Sequence, residues 1–201
     1  MHTQKKLVIL DRDGVINFDS DEYIKSPSEW RAIPGSLEAI ARLNQNGYQV
    51  AIATNQQAVA RGLIDVRMLN TIHQKLHLSA LAVGAHINAI FFCPHAVDEF
   101  CDCRKPRPGM LTAIGKRFGV SLKGVPMVGD ALRDMQAAFE VGCAPYLVRT
   151  GKGEKTLATG GLPPGTQVFN NLASVVEQLL HTAQLASETT DIARAALIQK
   201  R

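Results

Sequence analysis

The sequence predicts an α/β domain built on a doubly wound parallel sheet with helices on both faces. Three observations carry that expectation. Short β-branched runs alternate along the chain with stretches of helical periodicity. The strand-like runs are apolar throughout, as strands covered on both faces must be. No stretch between the motifs is long enough to build a separate second layer or cap domain.

The elements follow in order. Leu7–Leu10 reads as a buried strand ended by Asp11. From Gly35 to Asn46, Leu37, Ile40, Ala41 and Leu43 share one helical face, and Gly47 closes the helix. Tyr48–Thr54 is the next strand, and Asp65 is the N-cap of a helix running through Met68, Leu69, Ile72 and Leu76. Ile87–Phe92 is a strand, Pro108–Phe118 a helix, Pro126–Gly129 a strand, Ala131–Val141 a helix and Ala144–Val148 a strand. Gln167–Phe169 closes the sheet and Leu172–Leu180 is a last helix. The Gly/Pro-rich run Gly151–Gly165 is expected as a surface loop. Residues 1–185 form one expected domain, and Ala186–Arg201 is left open between an amphipathic helix and a tail.

Composition bounds the function classes. With 201 residues, 46% hydrophobic and 20% charged, the chain can bury a substantial core without disulfide staples. No apolar stretch approaches the ~18 residues of a membrane span, so no membrane partner is expected. The run Leu7–Leu10 is too short for a secretory apolar region, and a cytoplasmic location is expected. The net charge of +4 invites a nucleic-acid reading, but the basic residues are scattered and aromatics are few. The cluster Arg104-Lys105-Pro106-Arg107 suits a small phosphorylated ligand instead, and a monomer is expected.

Ligands of doubly wound sheets bind at the carboxyl ends of the strands. The residues that follow the strands are Asp11-Arg12-Asp13-Gly14, Thr54-Asn55-Gln56 and Gly129-Asp130, with Asp134 one helical turn on and Arg104-Lys105-Pro106 ahead of a helix. Singly, each has an ordinary structural explanation as a turn acid, a cap or a solvated lysine. Jointly, they bring carboxylates, a hydroxyl and a lysine to one sheet edge. Clustered carboxylates stay ionised together only around a cation, and hard oxygen ligands with room for water and phosphate select Mg²⁺. The cation lets an anionic phosphoryl group approach a carboxylate nucleophile, and an aspartyl phosphate splits hydrolysis into two easier steps. Lys105 and Thr54 would hold the phosphoryl oxygens, and Asp13 would move the proton.

A second cluster is Cys93-Pro94-His95 followed by Cys101-Asp102-Cys103. Thiolate and imidazole ligands in two close pairs suit a tetrahedral Zn²⁺, and four protein ligands make such a site structural. It would pin the loop that presents Arg104 and Lys105. Cys143 reads as a packed thiol, and His73, His77 and His86 as surface or satisfied helix residues.

The run Asp11-Arg12-Asp13-Gly14-Val15-Ile16-Asn17, with Thr54-Asn55-Gln56, Lys105-Pro106 and Gly129-Asp130, resembles the haloacid dehalogenase superfamily of phosphatases over residues 7–138. The resemblance implies Asp11 as nucleophile and Asp13 as acid/base. It also implies Mg²⁺ on Asp11, Asp130 and the Asp13 main-chain carbonyl, with Asp134 orienting Lys105 or the waters on the metal. Cys101-Asp102-Cys103-Arg104-Lys105-Pro106, Ala60-Arg61-Gly62 and Asp130–Ala138 are similar to the capless, zinc-containing group that acts on heptose bisphosphates and histidinol phosphate. That likeness implies loss of the C7 phosphate from a heptose 1,7-bisphosphate, with histidinol phosphate or another small phosphometabolite as the alternative. Substrate contacts would then fall to Asn17, Asp19, Tyr23, Asn55, Gln56, Gln57, Arg61, Arg104 and Ala131. A receiver-like phosphoacceptor module would also pair Asp, Thr, Lys and Mg²⁺. The position of Asp13 and the zinc loop argue against it. A zinc-dependent nucleic-acid binder would instead show steeply salt-dependent affinity for DNA or RNA.

Overall fold

The computed structural model describes residues 6–198. In chain order they form β1 (Lys6–Leu10), α1 (Ser36–Gln45), β2 (Tyr48–Asn55), α2 (Gln57–Ala60), α3 (Val66–Ala82), β3 (Ala89–Cys93) and α4 (Gly109–Phe118). Then follow β4 (Pro126–Gly129), α5 (Leu132–Glu140), β5 (Ala144–Val148), α6 (Gly153–Thr159), β6 (Gln167–Phe169) and α7 (Leu172–Ile198). The six strands are all parallel, in the order β3-β2-β1-β4-β5-β6. The chain moves outward from β1 in one direction, then returns to start again at β4. The crevice beyond the carboxyl ends of β1 and β4 is therefore the topological switch point, where doubly wound sheets take their ligands.

Two residues of each strand period divide the core. Val8, Leu10, Val50, Ile52 and Val128 face one layer, with Ile40 and Leu43 of α1, Leu69, Ile72 and Leu76 of α3, and Val175 and Val176 of α7. Leu7, Ile9, Ala51, Ala53 and Met127 face the other, with Leu111 and Ile114 of α4 and Ala137 and Ala138 of α5. Both faces are dry, so the strands read as continuous apolar runs. Asp65 caps α3 as expected, its carboxylate accepting from Met68 N at 2.7 Å. Among the described residues no cap domain stands over the switch point. Residues 11–35 and 94–108 contain neither helix nor paired strand beyond isolated bridges.

Two expectations need correction. Gly151–Gly165 is not simply a surface loop, because it contains α6. A Cβ at Gly153 would collide with the Val148 carbonyl, so only glycine lets this turn fold back onto β5. The last helix also runs well past Leu180, to Ile198, so residues 186–198 continue α7; residues 199–201 lie outside the described residues. No described helix is long and apolar enough to cross a membrane.

Of the two alternatives for His73 of α3, a surface or a satisfied helix residue, the structure has the second: it is buried and partnered. Its Nε2 lies 3.3 Å from Nη1 of the fully buried Arg12. A guanidinium can only donate, so His73 accepts in its neutral form. Burial and the Arg12 charge push its pKa down to about 3. An imidazole ionising near its ordinary value when unfolded but near 3 when folded costs stability as pH falls below about 6.5, by up to about 1.4 kcal/mol per pH unit. Urea unfolding at stepped pH checks this: His73→Gln, which can still accept from Arg12, should lose stability less steeply than the parent between pH 6.5 and 4. Parallel slopes would show that His73 does not titrate in that window.

Candidate active site

The site assembles where the strands end. β1 delivers Asp11, whose Oδ1 accepts from Arg12 N at 2.7 Å and whose Oδ2 lies 3.0 Å from Lys105 Nζ. β4 delivers Asp130, and the first turn of α5 delivers Asp134, whose Oδ1 lies 2.8 Å from the same ammonium. Asp134 Oδ2 accepts from Ala131 N at 3.0 Å, so this acid caps its helix and holds Lys105 together. Lys105 itself comes from the loop before α4 and also donates to the Ala53 carbonyl at 2.6 Å. Its backbone is clamped by Asn55: Nδ2 donates to Lys105 O at 3.0 Å and Oδ1 accepts from Lys105 N at 3.1 Å. A side-chain amide thereby extends the β2 edge by one pseudo-peptide and fixes the lysine's origin.

Burial sets the electrostatics. It would lower the Lys105 pKa, but the Asp11 and Asp134 carboxylates outweigh it and hold the ammonium above its ordinary range. Burial would raise Asp134, yet Lys105 and Arg133 hold it below the usual carboxylate range. Asp11 is pushed up to about 6 by burial, with Lys105 opposing. Asp130 is pushed up to about 8 by burial and then by the Asp134 and Asp11 charges. One ammonium and one guanidinium are too little positive charge for three buried acids.

That imbalance, and an orphaned atom, test whether a cation fits. Carboxylate oxygens of Asp11, Asp130 and Asp134 lie within 4.8 Å of one another. Asp130 Oδ1 is buried with no protein partner, while its Oδ2 accepts from Lys152 N at 2.7 Å. Gly14 (φ 80°) and Gly151 (φ 60°) pack so closely on Asp130 that a Cβ at either would strike its carboxylate. The donor set is hard oxygen, and a divalent cation supplies the missing charge.

Asp13 points elsewhere, into a cradle of donors. Arg12 Nε and Nη2 reach its carboxylate at 3.0 and 2.8 Å, Asn17 Nδ2 at 2.8 Å and Gln56 Nε2 at 2.9 Å. Burial pushes this acid up, but the Arg12 charge and the two amides together hold it below the ordinary carboxylate range. Gln56 Nε2 also donates to Thr54 Oγ1 at 2.8 Å, leaving the threonine's own hydrogen free to point into the cavity. That cavity, of about 320 Å³, is lined in part by Asp11, Asp13, Thr54, Arg104, Arg133 and Lys152. Asp19, Tyr23, Asn55, Gln56 and Gln57 line it too. Asn17, Arg61 and Ala131 do not. Asn17 is buried beneath Asp13, Arg61 lies over the Tyr23 ring at 5.5 Å, and Ala131 is buried at the start of α5. Tyr23 holds φ at 64°, a strained conformation for a residue with a side chain.

Cys93, His95, Cys101 and Cys103 converge beside this cavity, one ligand atom of each within 4.8 Å of the others. Cys93 Sγ lies 3.8 Å from Cys101 Sγ and 3.5 Å from His95 Nδ1, and Cys103 Sγ lies 3.3 Å from His95 Nδ1. A tetrahedron with the bond lengths of zinc has edges of about 3.8 Å between sulfurs and about 3.5 Å from sulfur to nitrogen. The sulfurs are too far apart for a disulfide. Cys143 lies apart, packed in the core, and burial pushes its thiol up to about 12.

Several participants escaped the sequence reading. Arg12 and His73 are one; the loop after β5 is another. Thr150 Oγ1 donates to Gly14 O at 2.6 Å, and Thr156 Oγ1 to Asp130 O at 2.9 Å. Lys152 Nζ bridges Asp19 at 3.2 Å and Asp21 at 3.1 Å. The Gly-Lys-Gly spelling of that loop hinted at a tight approach but not at its target.

A doubly wound sheet with an aspartate at the end of β1, a threonine at the end of β2, a loop lysine and an acid pair after β4 defines a phosphatase of the haloacid dehalogenase type. Residues 102–175 match a family described as HAD-hydrolase-like. A D-glycero-beta-D-manno-heptose-1,7-bisphosphate 7-phosphatase of Bordetella bronchiseptica (strain RB50) is 59% identical over 178 residues, covering 89% of this chain and 99% of that protein. One of Pseudomonas aeruginosa (strain PAO1) is 52% identical, covering 88% and 98%. The crystal structure of the D,D-heptose 1,7-bisphosphate phosphatase of B. bronchiseptica, complexed with magnesium and phosphate, superposes with a TM-score of 0.87 over 88% of this chain and 99% of that one. The chain belongs to the D-glycero-beta-D-manno-heptose-1,7-bisphosphate 7-phosphatase family.

Proposed function

We propose that the chain removes the C7 phosphate of D-glycero-beta-D-manno-heptose 1,7-bisphosphate, through a phosphoryl group carried on Asp11, as a monomer in the cytoplasm. The observation that carries the reading is the Asp11–Lys105–Asp134 arrangement at the switch point, in a chain whose relatives bear that activity in their names. Asp11 Oδ1 is tied to a backbone amide and Oδ2 to Lys105, so the carboxylate is fixed facing the cavity. One of its oxygens forms a bond to phosphorus as the bond from phosphorus to the C7 oxygen breaks. Lys105 and the free hydrogen of Thr54 meet the charge that spreads over the equatorial oxygens.

The leaving sugar oxygen takes a proton from Asp13. At rest Asp13 is a carboxylate held by Arg12, Asn17 and Gln56; the incoming phosphate dianion opposes its negative charge and favours the protonated form. After the sugar leaves, Asp13 takes the proton back from a water, whose oxygen attacks phosphorus. Inorganic phosphate departs and the Asp11 carboxylate is restored. Asp11, Asp130 and the Asp13 carbonyl would hold Mg²⁺, with Asp134 committed to Lys105. When bound, the ion supplies positive charge against the phosphoryl oxygens and the clustered acids.

Cys93, His95, Cys101 and Cys103 would hold a structural Zn²⁺ with no open position. Cys103 directly precedes Arg104 and Lys105, so the closed site fixes the cationic pair from one side as Asn55 does from the other.

Phosphate release in Mg²⁺ checks the substrate: kcat/KM should favour the heptose 1,7-bisphosphate over histidinol phosphate by a wide margin, leaving the 1-phosphate. Histidinol phosphate turned over as well or better would replace the substrate assignment. Elemental analysis of the purified protein should give about one zinc per chain, and removing it with a strong chelator should lower the melting temperature. Zinc-free protein of full activity and unchanged melting would overturn the zinc assignment.

A further inference from the structure

The other cations in the cavity and behind its wall are already engaged. Lys105 is held by Asp11 and Asp134, Lys152 by Asp19 and Asp21, and Arg104 donates to the His95 carbonyl at 3.1 Å and to Gln57 Oε1 at 3.2 Å. Arg133 differs. It lines the same cavity from the first turn of α5, yet its Nε is buried without a hydrogen-bond partner, and it takes part in none of the ion pairs among the described residues. Four carboxylates lie near enough to hold its charge: Asp134 and Asp130, buried behind the cavity, and Asp11 and Asp19, which line it.

A partly buried guanidinium with an unmet donor is costly, and such groups persist where a ligand completes them. Its planar fork matches a phosphate in two parallel hydrogen bonds. The transferred phosphoryl group already has Lys105 and Thr54. The anion left over is the one the reaction does not touch. We propose that Arg133 receives the second phosphate of the bisphosphate and is thereby a specificity-determining residue. The proposal rests on the bisphosphate reading given above. It accounts for selectivity without a lid: a substrate with one phosphate leaves the buried Nε unpaired, whereas one with two satisfies it.

The test compares Arg133→Gln and Arg133→Lys with the parent in Mg²⁺, on the heptose 1,7-bisphosphate and on an aryl monophosphate. The ratio of kcat/KM for the bisphosphate over the monoester should fall on the order of 10- to 100-fold in Arg133→Gln, chiefly through KM, and recover in part in Arg133→Lys. The heptose 1-phosphate product should also inhibit Arg133→Gln more weakly than the parent. An unchanged ratio, whether both substrates lose equally or neither does, would overturn the proposal. A parent enzyme with no preference for the bisphosphate would remove the substrate reading itself, a result seen before any variant is compared.

Discussion

A lysine buried between two buried aspartates is the constraint from which the rest of this site follows. Removing three charges from water costs several kcal/mol for each, which only close pairing and complete hydrogen bonding can offset. Lys105 meets that condition through Asp11, Asp134 and the Ala53 carbonyl at once. Each partner sits on a different element: β1, α5 and β2. The ion triad therefore works as a joint across the switch point, and the strand order that creates the crevice also brings its members together. Its excess of negative charge prepares the place for a divalent cation and, through it, for a phosphate.

Around that joint, the supporting groups divide the labour. The Asp13 cradle runs through Arg12 to His73 on α3, and through Gln56 to Thr54 on β2, so the Asp13 carboxylate and the Thr54 hydroxyl share one network. On the other side, the turn after β5 and α6 support Asp130: Lys152 N donates to its carboxylate and Thr156 Oγ1 to its carbonyl. The cysteine–histidine cluster holds the third wall. With no lid among the described residues, the walls of the crevice are fixed groups on packed elements and short loops.

Much of this was legible in the sequence, and the limits have physical causes. The apolar runs Leu7–Leu10 and Pro126–Gly129 announce buried parallel strands because both faces are covered, and the acids that follow them, Asp11 and Asp130, are conspicuous for the same reason. Lys105 looked like any surface lysine until set beside Asp11 and Asp130. α6 was missed because seven residues with glycine at the start carry almost no periodic signal; tertiary contact through Thr156 holds it. His73 follows the apolar spacing of α3, and nothing local reveals that Arg12, 61 positions earlier, turns inward to meet it. Arg133 reads as a solvated helix residue unless the cavity is seen. Contacts between residues distant in the chain are what local pattern omits.

The central claim is that Asp11 carries the phosphoryl group. Rapid acid quench of enzyme turning over the bisphosphate in Mg²⁺, followed by peptide mapping, tests it most directly. The account predicts one phosphoryl group on the peptide containing Asp11, labile to hydroxylamine, appearing within the first turnover and absent from Asp11→Asn. Steady turnover with no phosphorylated peptide at any quench time, or a phosphoryl group on another residue, would contradict it.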